Sequence, residues 1–318
     1  MTQCGNFLAD HAIVVGFGSI GARHAEILEG LGLSVSVVSR RNVGPYPRFD
    51  NIAAAVKDNS SAYVVVATET SHHATSLAAL RNCSHDGPVL VEKPLFAKAE
   101  PDDGVESAIV VGYNLRFHPL LMALRARLEN RKIHSVATAV GQYLPDWRPG
   151  RDYRTGYSAN RAEGGGVLRD LSHEIDYMLW LFGPWDKVMA LTGRSGMLDL
   201  ETEDFAHLLI QGRDFAAATL GLDYLDRNVR RAITVHHEDG TTRLDFIAGT
   251  LVENGEIVDS ATLDRNETYR RQHLAVLRGE SGTFCSYGEG LAVVAAIEAI
   301  ETSAETGKWI SPKKWKQP

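Results

Sequence analysis

The first hundred residues alternate short apolar runs with segments of helical periodicity. Five runs rich in β-branched residues are Ala12–Val15, Val35–Val38, Tyr63–Ala67, Val89–Glu92 and Ala108–Gly112. They are apolar on both faces, as parallel strands are when helices cover both sides of their sheet. Helical patterns follow the first three runs, from about Ile20 to Leu31, near Asn51–Asp58 and at about His73–Arg81. This alternation predicts a doubly wound parallel sheet with right-handed crossovers.

The pattern changes after about residue 118. A helix is predicted at Leu120–Leu128 and a strand at Ser135–Val140, and then Tyr143–Ala162 is a long polar and aromatic stretch with few helix or strand signals. Loops of this length in compact domains are usually functional or disordered. The next predicted helix, Gly166–Leu181, ends at Gly183-Pro184.

The last third of the chain predicts a second kind of sheet. Strand-like runs separated by turn signals occupy Val188 to about Val258, and two helices follow near Asp264–Arg278 and Gly288–Thr306. The expected fold class is α/β, with a doubly wound parallel sheet in residues 1–118. A C-terminal α+β domain with a large open mixed or antiparallel sheet is expected in residues 119–318. This division leaves open that the last helix packs back on the first domain.

Composition narrows the possible classes of protein. The chain has 318 residues, 44% of them hydrophobic, which is enough for two domains with buried cores. The formal net charge of −7 gives no sign of a nucleic-acid-binding or anionic-membrane surface. The first residues lack the basic and apolar regions of a signal peptide, and no apolar run has the length of a membrane helix. The three cysteines fit neither a disulfide framework nor a zinc site, so we expect no metal and a cytoplasmic location.

A glycine-rich motif directly follows the first strand. In Gly16–Gly21, Gly16 permits a tight turn, Gly18 lets a pyrophosphate approach the backbone, and Gly21 lets helix and strand pack closely. The start of the next helix would face the phosphates. The alternative is an ordinary glycine-rich turn, but the strand–turn–helix context favours a dinucleotide-binding Rossmann domain. The expected cofactor contacts in this turn are Gly16, Phe17, Gly18, Ser19, Ile20 and Gly21.

The end of the second strand bears on the choice between NAD and NADP. An NAD site usually has an acidic residue there, whereas this chain has Ser39, Arg40 and Arg41. These side chains suit a 2′-phosphate, so NADP is favoured over NAD. The alternative is that both arginines are simply solvated.

A lysine follows the fourth strand, in Glu92-Lys93-Pro94. A lysine at the carboxyl end of a parallel strand points into the crevice where such sheets bind ligands, and it can exchange a proton with a substrate hydroxyl. Taken alone, a surface lysine beside a turn proline is the better interpretation.

Several motifs in sequence order support the catalytic interpretation. They are GFGSIGARH, ATETSHH (Ala67–His73), EKPL (Glu92–Leu95), GYNLRFHP (Gly112–Pro119) and GGGVLRDLSHEIDYMLWLFG (Gly164–Gly183). In this order they resemble the Gfo/Idh/MocA oxidoreductases, which include glucose–fructose oxidoreductase and inositol dehydrogenase. More narrowly, YLPDWRP and SHEIDYMLWL are similar to segments of dehydrogenases from surface-polysaccharide and nonulosonic-acid gene clusters.

The resemblance implies roles for particular residues. Lys93 would lie near nicotinamide and substrate, His173 would accept the proton, and Asp170 would assist His173 and bind a hydroxyl. Further cofactor contacts would be Thr68, Glu69, Thr70, His73, Glu92 and Asn114.

This sequence departs from the family pattern in three places. Only two residues separate Asp170 from His173, and an ungapped alignment puts Arg169 in the aspartate's place. Glu69 replaces the usual proline. The stretch Phe96–Ser107 is short, so one Rossmann helix is expected to be trimmed.

Arginines alternate with aromatic residues before the catalytic segment. Aromatic faces suit sugar rings and arginines suit carboxylates or phosphates, so we expect an anionic carbohydrate substrate. The equally weighted alternative is a solvated loop whose arginines pair with Asp146, Asp152 and Glu163. The expected substrate contacts are Lys93, Tyr143, Trp147, Arg148, Tyr153, Arg154, Arg169, Asp170 and His173.

These features together predict a nicotinamide-dependent oxidoreductase. It would transfer a hydride between NADP or NAD and a secondary alcohol of a sugar, sugar acid, nucleotide sugar or cyclitol. Two alternatives stay open: a glycoside hydrolase that uses transient oxidation by bound NAD, and a non-catalytic NAD(P)-binding regulator. An open sheet must bury its uncovered face, and in the family these faces pair, so a homodimer or homotetramer is expected.

Overall fold

The computed structural model describes residues 8–57, 59–100, 109–161, 163–280 and 282–313. The chain forms two compact units: Met1–Phe117 with Leu263–Leu291, and His118–Thr262 with Ala292–Pro318. Residues 263–291 thus group with the first unit, although the sequence pattern placed them in the second. The predicted division at residue 118 stays a prediction.

Strands and helices alternate up to residue 117. In chain order they are β1 (His11–Val15), α1 (Ser19–Gly30), β2 (Ser34–Val38), β3 (Arg48–Phe49), α2 (Ile52–Val56), β4 (Tyr63–Val66), α3 (His73–Asn82), β5 (Val89–Val91) and β6 (Ile109–Val111).

Longer strands dominate the next part of the chain. The elements are α4 (Pro119–Leu128), β7 (Ile133–Gly141), α5 (Val167–Asp170), α6 (Ser172–Phe182), β8 (Trp185–Gly193), β9 (Phe205–Gly212), β10 (Ala217–Asp223), β11 (Arg230–His237), β12 (Gly240–Asp245), β13 (Thr250–Glu253) and β14 (Glu256–Ser260). Three elements end the chain: α7 (Glu267–Leu277), β15 (Cys285–Ser286) and α8 (Tyr287–Thr306).

The first sheet has the order β15-β6-β5-β4-β1-β2-β3. All its pairs are parallel except the pair that β15 makes with β6. Its core contains the fully buried Val14, Val65 and Leu90, and Val276 and Leu277 of α7 pack into the same cluster. The doubly wound parallel sheet expected from the sequence is confirmed.

The second sheet has the order β14-β13-β12-β11-β7-β10-β9-β8 and is open. Its neighbours are antiparallel except β7 and β10, which are parallel. Residues of β9 alternate between buried and exposed, so helices cover one face and the other face is open in the single chain. On the covered face, the Thr138 hydroxyl of β7 approaches Met178 of α6. The mixed sheet confirms the predicted α+β architecture.

The structure differs from the expected elements at two places. The helix expected at Gly166–Leu181 is interrupted at Leu171, where φ is −97° and ψ is 27°, and so forms α5 and α6. The stretch Tyr143–Ala162 contains three short 3₁₀ helices, at Leu144–Trp147, Tyr153–Thr155 and Tyr157–Ala159. The trimmed helix expected in Phe96–Ser107 lies largely outside the described residues. None of the described helices is both long and apolar enough to cross a membrane.

Candidate functional site

The turn between β1 and α1 has the backbone that the glycine motif requires. Gly16 has φ +95°, and a Cβ there would lie 2.7 Å from the carbonyl oxygen of Ala67. A Cβ on Gly21 would lie 2.1 Å from the carbonyl oxygen of Gly16. By contrast, the nearest atom to a Cβ on Gly18 is an Arg41 guanidinium nitrogen at 4.0 Å. Packing therefore excludes side chains at Gly16 and Gly21, while Gly18 leaves its backbone open to approach.

Helix α1 begins at this turn with backbone donors that no side chain caps. Gly18 is its N-cap residue and the first turn, which includes Ser19 and Ile20, contains no acidic side chain. Unpaired N–H groups and the positive end of the helix dipole stabilise a bound phosphate. The turn therefore fits a pyrophosphate. Phe17 packs edge-on against Tyr46, with ring centroids 6.0 Å apart.

Three arginines line a shallow surface pocket beyond β2. The pocket has a volume of about 370 Å³, and its lining includes Arg40, Arg41, Arg48 and Tyr46. The Ser39 hydroxyl accepts a hydrogen bond from the Arg41 backbone N–H at 3.0 Å, which shapes the strand exit. No carboxylate lines this pocket, so its charge complements a phosphate.

The loop after β4 is tied to the loop after β5 by one histidine. The ring nitrogens of His73 lie 3.2 Å from the Thr68 carbonyl oxygen and 3.0 Å from the Leu95 carbonyl oxygen. Burial lowers the pKa of His73, although these backbone bonds oppose the shift. The geometry indicates that His73 braces both loops.

The neighbouring side chains of this loop differ in exposure. The Thr68 hydroxyl is buried and has no hydrogen-bond partner in the described chain, so it suits a ligand polar group. Glu69 and Thr70 lie at the start of a 3₁₀ turn, and the Glu69 carboxylate is 3.6 Å from the exposed His72 ring.

The turn after β5, which carries Lys93, is held by hydrogen bonds of the buried Glu92 side chain. The Glu92 side chain is buried; one oxygen lies 2.9 Å from His24 Nε2, and the other accepts the Lys93 backbone N–H at 3.1 Å. Burial alone would raise the pKa of Glu92, but the hydrogen bond from His24, together with the charge and backbone N–H of Lys93, outweighs it and lowers that pKa. Lys93 is half-buried. Asn114, after β6, donates to the Thr268 hydroxyl of α7 at 2.7 Å.

The second unit places the three residues of the predicted catalytic segment differently. His173 lies in the first turn of α6 and is half-buried. Arg169 forms an ion pair with Glu301 of α8. Asp170 ends α5 and is 6% exposed. These positions leave the catalytic role of His173 as a prediction and give Arg169 a structural partner.

Asp170 is surrounded by hydroxyl donors. One oxygen accepts from Tyr157, and the other accepts from Ser158 and from Tyr224, both at 2.6 Å. Burial, followed by the Asp170 charge, raises the pKa of Tyr224 well above its ordinary value, so that hydroxyl stays a donor. The geometry favours an anchoring role for Asp170. Its assignment to catalysis and substrate binding stays a prediction.

The aromatic and basic loop is partly committed to internal contacts. Trp147 donates to the Gln142 carbonyl oxygen at 3.2 Å, and the Tyr153 hydroxyl accepts the Asp199 N–H at 3.0 Å. Arg154 pairs in bidentate fashion with Asp152. Arg148 is exposed. The pairing of Arg154 is the arrangement of the solvated-loop alternative, so Arg148 carries more of the argument for an anionic substrate.

The structure brings together residues that the sequence analysis missed. Arg48 and Tyr46 complete the arginine pocket. Arg227 lies over the Tyr143 ring at 4.1 Å, next to the predicted substrate residues. In the sequence Arg227 belongs to a basic run with Arg230 and Arg231, but only the fold shows that Arg227 lies beside Tyr143. Among the described residues, no group of three His, Cys, Asp or Glu side chains could hold a metal ion.

Comparison with known domain families finds one match, which lies within the second unit. Residues 121–243 match the model of the GFO/IDH/MocA C-terminal domain. No curated protein is similar enough in sequence to be matched to this chain.

Solved structures extend the similarity over the whole chain. GenD2 from gentamicin A biosynthesis, in complex with NAD, is 25% identical over 99% of this chain and 100% of that one, with a TM-score of 0.78. The WlbA dehydrogenase from Bordetella pertussis, in complex with NADH and UDP-GlcNAcA, is 21% identical over 97% and 100%, with a TM-score of 0.75. Levoglucosan dehydrogenase, in complex with NADH and levoglucosan, is 16% identical over 96% and 99%, with a TM-score of 0.81.

Proposed function

We propose that this chain transfers a hydride between a nicotinamide cofactor and a secondary alcohol of a carbohydrate, as the match of residues 121–243 to the GFO/IDH/MocA C-terminal domain suggests. The observation that carries the proposal is the open backbone at Gly18 beside an uncapped helix start, in a chain that GenD2 matches over its full length. The cofactor supplies the hydride acceptor. The chain has to bind it, orient it and carry the proton.

The described residues divide these tasks. The glycine turn and α1 would hold the pyrophosphate, and the buried Thr68 hydroxyl would bond to the cofactor. Lys93 would stabilise the substrate oxygen as its proton leaves, and His173 would accept that proton. Asp170 would act on this reaction by anchoring the chain just before α6 rather than by touching the substrate.

We further propose that NADP is preferred over NAD. The three relatives were solved with NAD or NADH, so this preference rests on the pocket of Arg40, Arg41 and Arg48 alone. A 2′-phosphate there would make charge-assisted hydrogen bonds, each contributing about 1.5–3 kcal/mol before solvent screening. In Arg40→Asp the exchange of attraction for repulsion is expected to weaken NADP binding by roughly 30-fold or more, with little change for NAD. Titration calorimetry with both cofactors measures this, with Arg243→Ala, a change at an exposed arginine of the second unit, as the control. Native protein that binds NAD more tightly would overturn the preference.

We also propose that the protein is a cytoplasmic homodimer or homotetramer. The substrate class we propose is an anionic sugar, such as a sugar acid or nucleotide sugar. The support is the exposed Arg148 and the Arg227–Tyr143 pair in the second unit. WlbA was solved with UDP-GlcNAcA, an anionic nucleotide sugar, and levoglucosan dehydrogenase was solved with levoglucosan, a neutral sugar.

The test of the reaction is a panel of neutral sugars, inositols, sugar acids and nucleotide sugars with NADP and NAD, followed by reduced-cofactor absorbance. With the best substrate, Lys93→Ala and His173→Ala should each lower kcat by about 100-fold or more while cofactor affinity changes little. Lys98→Ala, an exposed lysine on the same loop, is the matched control. Near-native kcat in both active-site variants would remove these residues from the mechanism. Glycoside cleavage without net cofactor turnover would favour the hydrolase alternative.

A further inference from the structure

Four polar side chains form one buried chain inside the first unit. The Tyr63 hydroxyl lies 2.9 Å from His273 Nδ1, and His273 Nε2 lies 2.8 Å from His24 Nδ1. His24 Nε2 lies 2.9 Å from the Glu92 carboxylate. The side chains come from β4, α7, α1 and the end of β5, and none of the four residues is more than 7% exposed.

The proton positions along this chain follow from the ionised carboxylate at its end. Glu92 accepts from His24 Nε2, and we assign His24 Nδ1 as the acceptor toward His273. His273 therefore donates from Nε2 and accepts at Nδ1, where Tyr63 donates. Burial lowers the pKa of His273 well below its ordinary value, which keeps that ring neutral. All donors thus point toward Glu92, and each bond polarises the next.

The same carboxylate holds the turn that carries Lys93. Its second oxygen accepts the Lys93 backbone N–H at 3.1 Å. A Cβ at Gly112 would lie 2.9 Å from the first oxygen, so the space that Glu92 needs is provided by a glycine. One oxygen of the Glu92 carboxylate is thus bonded to His24, and the other is bonded to the backbone of the turn.

Stability alone does not require these groups. Elsewhere the same core is filled by Val14, Val65 and Leu90, and well-packed apolar residues are often as stable as buried ionic ones. Removing one partner, by contrast, leaves an unsatisfied buried group next to the turn. These hydrogen-bonded side chains end at the Lys93 backbone, so we infer that they serve to hold that turn.

We propose that His24 and His273 are positioning residues, which hold Glu92 as an oriented anion and thereby fix the Lys93 turn. The consequence for turnover rests on the proposed function of Lys93, whereas the consequence for the turn's rigidity does not. Loss of His273 loosens the turn although that residue lies 249 positions from its partner His24.

The experiment measures amide hydrogen exchange, resolved to single residues, in the NADP-saturated protein. His273→Leu should speed exchange of the Lys93 amide about tenfold, whereas the Leu90 amide in β5 should be unchanged. His273→Gln can accept from Tyr63 and donate to His24, so it should keep near-native protection. Val276→Ala, which weakens the packing of the same helix without touching the chain, is the matched control and should leave the Lys93 amide protected. Unchanged Lys93 exchange in His273→Leu, or equal loosening in Val276→Ala, would overturn the proposal.

A second readout separates positioning from packing. The groups facing Glu92 are His24, Lys93, Tyr63, Tyr269 and His73, with Arg23 lying over the Tyr269 ring. With the best substrate of the panel, the acid limb of the kcat profile should move to higher pH in His273→Leu and stay in place in His273→Gln. If neither the acid limb of the kcat profile nor the exchange of the Lys93 amide changes in His273→Leu, the inference is wrong. Loosened exchange in a protein that oxidises no sugar would leave the inference standing and remove the proposed function.

If His273→Leu does not fold, Tyr63→Phe decides the matter. It removes only the last donor of the chain, so the Lys93 amide should exchange about threefold faster. No change in this variant would overturn the proposal.

Discussion

The hydroxyl cluster at Asp170 allows a sharp test of whether that aspartate anchors the chain or takes part in chemistry. Asp170→Asn keeps the size of the side chain but removes its charge and replaces one acceptor by a donor. The cluster would then lose charge assistance in the bonds from Tyr157, Ser158 and Tyr224.

The expected loss of stability follows from that geometry. A hydrogen bond to a charged group contributes about 1.5–3 kcal/mol, and one between neutral groups about 0.5–1.5 kcal/mol. Three weakened bonds therefore lower the free energy of unfolding by about 3 kcal/mol, or roughly 6–12 °C in Tm for a unit of this size. Tyr224→Phe, which removes one donor and leaves the charge, should cost only about 1–2 kcal/mol.

Calorimetry and steady-state kinetics together decide between the two roles. If Asp170 is an anchor, Asp170→Asn has a lower Tm, and its kcat well below that temperature stays within about tenfold of the native value. If it is catalytic, kcat falls about 100-fold, as in His173→Ala, while Tm barely changes. A stable but inactive Asp170→Asn protein would refute the anchoring role.

Three further predictions concern assembly, substrate charge and acid stability. The exposed Leu209 and Leu191 lie on the open face of the second sheet, so light scattering should show a dimer or tetramer at micromolar concentration, and Leu209→Arg should give monomers; a monomeric native protein would contradict this. Arg148→Ala should lower kcat/KM for an anionic sugar about tenfold and leave a neutral sugar unaffected, with Arg154→Ala milder because Arg154 already pairs with Asp152; efficient oxidation of a neutral sugar in all variants would exclude an anionic substrate. His273 has a lowered pKa in the folded state, so below its ordinary value of 6.5 only the unfolded state takes up its proton. The free energy of unfolding therefore decreases as the pH is lowered, by up to about 1.4 kcal/mol per pH unit. Denaturant midpoints between pH 7 and 5 should therefore fall less steeply in His273→Gln, and identical slopes would show that this ring titrates equally in both states.

The parts of the fold that depend on short stretches of sequence were predictable. Strand β1, the Gly16–Gly21 turn and α1 follow one another within twenty residues, and local periodicity with glycine placement identifies all three. The same holds for the alternating strands of the second sheet, such as β9. Local pattern therefore identified the fold class and the glycine turn after β1.

The parts that depend on distant partners were not predictable. Nothing local shows that β10 pairs in parallel with β7, or that Leu263–Leu291 joins the first unit. The sequence around Asp170 gives no sign of the Ser158 and Tyr224 hydroxyls that surround it, and its catalytic role stays a prediction. A single sequence carries no signal for such pairings, because each depends on the packing of elements far apart along the chain.

The return of residues 263–291 to the first unit has a consequence for biosynthesis. The ribosome synthesises β7 to β14 before α7. The first unit therefore lacks α7 until all the strands of the second sheet have been made. A fragment ending at residue 117 would lack Val276 and Leu277, so the core residues that they cover would be exposed to water. It would also lack His273, the hydrogen-bond partner of His24. The first unit therefore stays incomplete until most of the polypeptide has emerged, and residues 1–117 are not a complete module by themselves.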